Sequence, residues 1–262
     1  MRTPSGTSGD GFPRPSATPE TVPQARIILL GACHGDPRGY RRTVEILGAL
    51  KPDLVAVEVS PFALRFRMRH RRFLMARLRS SIAVASRRLG IPAAQAYAHP
   101  QVRRLFLQIA LPYEWRAART HCALFALPCH PVDSSRFSRA LICHWPELLS
   151  PANVGALLSL PSDETPWAEA QYRRAAWALQ NGGLFPSPKT RPPADDDLLE
   201  ERERHLETQV RAILRVWEPA RLVYLGGWEH LLPAASPPTL AQRLRDLQPA
   251  RLLLDGSVIR DG

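Results

Sequence analysis

Two histidines follow short apolar runs by the same step. Arg26-Ile-Ile-Leu-Leu-Gly31-Ala-Cys-His34 sets an imidazole three residues past Gly31, and Arg221-Leu-Val-Tyr-Leu-Gly-Gly227-Trp-Glu-His230 sets another three residues past Gly227. A carboxylate interrupts a third apolar run, Leu54-Val-Ala-Val-Glu58-Val59. Burying Glu58 is costly without a partner. Two histidines and a carboxylate can hold a divalent metal (Mn, Zn or Co) with one position open for water. Equally, a glutamate and a histidine can activate water as general base with no metal. His34, Glu58 and His230 are therefore the candidate catalytic and metal-binding set. Either histidine alone reads better as a hydrogen-bonded loop residue; the repeated step and the strand-end glutamate favour a shared site.

The elements that carry these groups fix where they meet. Each apolar run is short and uninterrupted, as in a strand buried on both faces. Residues 41–50 show helical spacing between the first two runs, so the unit is a βαβ crossover with parallel strands. Strands 26–31, 54–59, 221–226 and a third in chain order at 123–127 are expected in one sheet, with a last strand at 251–255. The fold class is α/β: a mostly parallel central sheet flanked by helices, with an inserted helical region. Open α/β sheets bind ligands at the carboxyl ends of their strands. His34 and His230 should then reach the same height above that edge, with Glu58 a lateral neighbour of His34. All three should fit one metal-coordination sphere or be bridged by a water.

Two further residues join the set. Pro112 can open a helix at its first turn, and Glu114 lies in that turn, where it can serve as a further acid or base. Asp195, Asp196 and Asp197 are read as capping a helix to Trp217 whose inward stripe is Leu199, Leu206, Val210, Ile213 and Trp217. Arg202 lies on that stripe, whereas Glu201 and Glu203 are read as off it. An inward arginine needs a carboxylate or a bound anion, and Glu58, Glu114 and Asp133 are the candidates.

Composition bounds the rest. A chain of 262 residues with 45% hydrophobic and 23% charged residues suits one soluble domain with a sizeable core. Residues 1–24 are rich in Ser, Thr, Gly and Pro and are expected to be disordered, which leaves 25–262 as a single domain. Residues 181–194 read as a mobile loop. The net charge is +11, yet only Lys51 and Lys189 are lysines. Arginine abundance from coding bias accounts for this ahead of nucleic-acid binding. The Arg-rich helical region 62–89 reads first as a helix with a solvated cationic face, and second as a surface for anionic partners. Cys33, Cys122, Cys129 and Cys143 form no C-x-x-C pair and read as reduced thiols. The loose Cys/His group at 121–144 fits no common zinc spacing. There is no P-loop, dinucleotide fingerprint or nucleophile elbow. No run is long enough to span a membrane and no signal peptide is visible, so a cytoplasmic location is the default. The oligomeric state is not legible.

The order of these motifs resembles a TraB/PrgY-type domain, of the group that includes TIKI, GumN, erythromycin esterase and ChaN-like proteins. The resemblance rests on Gly31-Ala-Cys-His34, Pro52-Asp-Leu-Val-Ala-Val-Glu58, Pro112-Tyr-Glu114-Trp-Arg, Asp133, Glu201-Arg202 and Leu225-Gly-Gly-Trp-Glu-His230. Ala32 stands where that group commonly has Thr or Glu, and Arg65 lies farther from Glu58 than the usual arginine. The resemblance implies an α/β fold with the His and Glu residues around one cleft. For some members it implies a metal-dependent peptidase or esterase acting on a peptide or small ester. For others it implies haem binding or signal-peptide inhibition. The two readings carried forward are a hydrolase and a non-catalytic protein that binds a peptide or small ligand.

Overall fold

Strand formation follows the apolar runs. In the computed structural model, which describes residues 25–162, 167–182 and 193–259, the strands are β1 (Ile27–Ala32), β2 (Leu54–Val57), β3 (Cys129–Pro131), β4 (Leu222–Gly227), β5 (Ala250–Leu253) and β6 (Val258–Ile259). They form one sheet in the order β3-β2-β4-β1-β5-β6. All neighbours are parallel except β5 with β6. Every residue of β1, β2 and β4 is buried, as unbroken apolar runs require when helices cover both faces. The α/β fold with a mostly parallel sheet is therefore as the sequence implied.

The helices are α1 (Gly39–Leu50), α2 (Pro61–Leu89), α3 (Ala93–Ala98), α4 (Pro100–Ile109), α5 (Tyr113–Leu124), α6 (Ser135–Ile142), α7 (Trp145–Leu148), α8 (Pro151–Leu158), α9 (Trp167–Gln180), α10 (Pro193–Trp217) and α11 (Leu240–Arg243). Two cores result. The larger joins the sheet to Ile46 and Leu47 of α1, Ala118 of α5, Tyr172 of α9 and Leu206 and Val210 of α10. The second lies within the inserted helices, where Leu74, Leu78, Ile82 and Ala85 of α2 meet Val102, Ile109, Trp145 and Val154. The arginine-rich segment is thus one long helix with its apolar stripe packed and its charged face outward. Among the described residues no helix is long and apolar enough to cross a membrane.

Three sequence expectations need correction. The strand expected at 123–127 lies at Cys129–Pro131, because α5 runs to Leu124 and a turn with Ala126 at φ +54° follows it. Glu58 is not a lateral neighbour of His34. β4 lies between β1 and β2, so the short crossover skips one strand position that the last third of the chain fills. The aspartates 195–197 precede no helix start, because α10 already begins at Pro193 and they are its third to fifth residues. The tail 1–24 and most of the loop 181–194 fall outside the described residues.

Candidate functional site

Parallel pairing places the ends of β1, β2, β3 and β4 along one edge, and the chain just past each end contributes a polar residue: His34, Glu58, Asp133 and His230. The register sets Gly31 opposite Gly226 and Ala32 opposite Gly227. The two Gly-x-x-His steps are therefore offset by one residue, and their chains diverge. After β1 the chain makes a loop that leaves the His34 side chain 58% accessible. After β4, Trp228–Leu231 forms a 3-10 turn that folds His230 inward to 6% exposure. The histidines share an edge but hold different partners, Glu114 for His34 and Glu58 with Glu203 for His230.

His34 draws its partner from α5. Its Nδ1 lies 2.7 Å from Glu114 Oε1. Glu114 sits in the first turn of α5, where the positive end of the helix suits a carboxylate, and it is buried. Desolvation opposes charging the imidazole. The hydrogen bond and charge of Glu114, with Glu58 and Glu229 adding to them, outweigh it and raise the His34 pKa to about 9. Water screens part of that effect at so accessible a ring. The loop is held from below. Asp36 accepts from Arg38 N–H at 2.8 Å and from Arg42 at 2.7 Å. Tyr172 donates to Asp36 at 3.3 Å and accepts from Cys33 N–H at 3.3 Å, and Tyr113 donates to Cys33 O at 3.0 Å.

The second set of groups is a buried ion-pair network. Arg202 donates to Glu58 and, at 2.8 and 2.9 Å, to both oxygens of Asp133. Its guanidinium also lies 4.3 Å from the centre of the Phe137 ring. Glu58 Oε2 accepts from Gly227 N–H at 2.5 Å, and Glu58 Oε1 lies 3.1 Å from His230 Nε2. His230 Nδ1 in turn meets Glu203 at 2.5 Å. Burial disfavours charge on His230, but Glu58 and Glu203 overcome it and raise its pKa to about 10. Burial also opposes charge on Glu58; His230 and Arg202 prevail and hold it well below the usual carboxylate range. The first glycine of the pair is needed here. A Cβ on Gly226 would overlap Glu58 Oε2 and lie 2.6 Å from the Tyr224 hydroxyl.

Of the expected residues, Arg202, Glu58 and His230 thus come together, and His34 pairs with Glu114 beside them. Sequence reasoning missed Glu203, which is buried rather than turned outward. Its spacing of three from Leu206 and seven from Val210 was the available signal. It also missed Glu229. A Cβ placed on Gly227 would lie 3.1 Å from Glu229 Oε2, 3.2 Å from His34 Nε2 and 3.5 Å from Glu58 Oε2, so three polar groups surround one point. A cleft of about 140 Å³ opens there, lined by Ala32, Cys33, His34, Trp167, Trp228 and Glu229, among others. Burial, then the charges of Glu229 and Asp36, push the Cys33 thiol up to about 12, which makes it a poor nucleophile.

Among the described residues no three His, Cys, Asp or Glu side chains are grouped to hold a metal. Glu58 and His230 direct their polar atoms to each other, Arg202, Glu203 and Gly227 N–H, which is the geometry of an ion-pair network. In comparisons with known proteins, no family model, curated protein or solved structure matches the chain.

Proposed function

We propose that the chain is a cytoplasmic hydrolase of the TraB/TIKI kind that cleaves a peptide or small ester in the cleft beside His34. The observation that supports this most is an accessible imidazole oriented by a buried carboxylate, with Glu229 on the same cleft wall. In this reading Glu229 accepts a proton from water, and the water oxygen bonds to the substrate carbonyl carbon. Protonated His34 then gives its Nε2 proton to the departing oxygen or nitrogen as the bond to carbon breaks. The proton held by Glu229 returns to His34 through solvent. Glu114 keeps the imidazole oriented and charged. Arg202, Glu58, Asp133, His230 and Glu203 fix the floor, a positioning role.

A metal-dependent version, with Mn, Zn or Co on His34, Glu58 and His230, requires Glu58 and His230 to exchange their present partners. Saturable Mn²⁺ or Zn²⁺ binding that His230→Ala abolishes would establish it. The second reading, a non-catalytic peptide- or ligand-binding protein, is favoured by the extent of the ion-pairing. Turnover of a peptide and ester panel by wild type and His34→Gln separates the readings. A loss of roughly 10²–10⁴-fold is expected in the variant at an unchanged melting temperature. Equal turnover by both proteins, or none by wild type, removes the hydrolase reading.

A further inference from the structure

A cavity larger than the cleft beside His34 lies elsewhere among the described residues. It is a groove of about 410 Å³ in the inserted helical region, within the usual range for small-molecule sites. Its walls are Phe62, Phe66, Phe73 and Leu74 of α2 with Ile142 and Trp145 of α6 and α7. The α2 lining residues run from Phe62 to Arg77 along one helix face, a trough roughly 22 Å long at 1.5 Å per residue. Arg77, Arg139 and His70 stand on the same lining. Arg77 donates to Pro146 O at 3.1 Å, and the Arg139 guanidinium lies 4.9 Å from the centre of the Phe62 ring. Neither makes an ion pair among the described residues. Neither α2 nor α6 contains an Asp or Glu, and Glu147 of α7 is not among the lining residues.

A long apolar trough with guanidinium groups and no carboxylate fits one kind of small molecule: an extended apolar chain ending in a negative group. We infer that this groove binds a single-chain anionic amphiphile such as a long-chain carboxylate, its tail along Phe66 and Trp145 and its head at one end of the trough, on Arg139 beside Phe62 or on Arg77 beside Pro146. The site is separate from the proposed hydrolytic cleft and does not depend on that reading.

Cys143 provides a local reporter, because it lines the groove and is the exposed cysteine of the four. Alkylation of Cys143 in the full chain would be followed with dodecanoate, dodecanol or dodecyltrimethylammonium, each below its micelle concentration. Dodecanoate is expected to protect Cys143 saturably, with binding weaker on the order of tenfold for dodecanol and for Arg77→Gln/Arg139→Gln. The cationic amphiphile should not protect. Phe73→Asp, at a residue 64% exposed and so tolerant of change, should weaken dodecanoate binding at an unchanged melting temperature. Equal protection by all three amphiphiles, or none by dodecanoate, overturns the inference. Protection by phosphatidylglycerol vesicles but not by free dodecanoate also overturns it, and would make α2 a membrane-facing surface instead.

Discussion

Arg202→Ala should be the most damaging single change to the site's floor. The network holds three carboxylates, Glu58, Asp133 and Glu203, against two cations, Arg202 and protonated His230. Removing Arg202 leaves Glu58 with His230, the Tyr224 hydroxyl and Gly227 N–H. It leaves Asp133, among the described residues, with the Ser134 N–H at 2.8 Å. The Arg202 side chain is 15% accessible and that of Glu58 is 3%, so water recovers little of the loss. Breaking a buried pair this way costs about 3–5 kcal/mol. At about 2–4 °C per kcal/mol for a domain near this size, melting should fall by roughly 6–20 °C. Urea unfolding at neutral pH measures it. In Glu58→Gln/Arg202→Met the loss should be smaller than the sum of the single changes, because the two residues share one interaction. A loss below about 1 kcal/mol for Arg202→Ala would mean that Glu58 and Asp133 do not depend on the guanidinium.

Stability should also depend on pH through His230. Its folded pKa, near 10, exceeds the ordinary value of about 6.5, so its contribution is complete below about 6.5 and disappears as pH rises through 10. Urea midpoints from about pH 6 to 10 should fall in wild type and fall less in His230→Ala; parallel curves would contradict this. Gly227→Ala should fold, since its φ of −59° suits any residue. Its methyl would enter the point shared by Glu229, His34 and Glu58, so turnover should drop at least about tenfold. Wild-type turnover in that variant would show that the point is not used.

Much of this was legible because strand ends speak plainly in sequence. Unbroken apolar runs located β1, β2 and β4, and the lone Glu58 and inward Arg202 announced a buried ion pair. The strand order was not legible: nothing in the βαβ spacing shows that β4 will enter between β1 and β2. That insertion separates Glu58 from His34 and hands it to His230. Glu203 was lost because a charged residue beside an apolar stripe reads as solvated until its partner is known. Glu229 was lost for a related reason, since only the 3-10 turn after β4 shows which of Glu229 and His230 turns inward.

The decisive measurement for the proposed hydrolase is the pH dependence of kcat/KM, which reports the titrating groups of the unliganded protein. The proposed step needs His34 in its charged form, so hydrolysis should fall as pH rises from above the ordinary histidine value toward about 9. In Glu114→Gln, which removes the carboxylate that raises His34, the fall should move toward the ordinary histidine value of about 6.5. A rate that climbs through that range, or a fall that Glu114→Gln leaves in place, would contradict it.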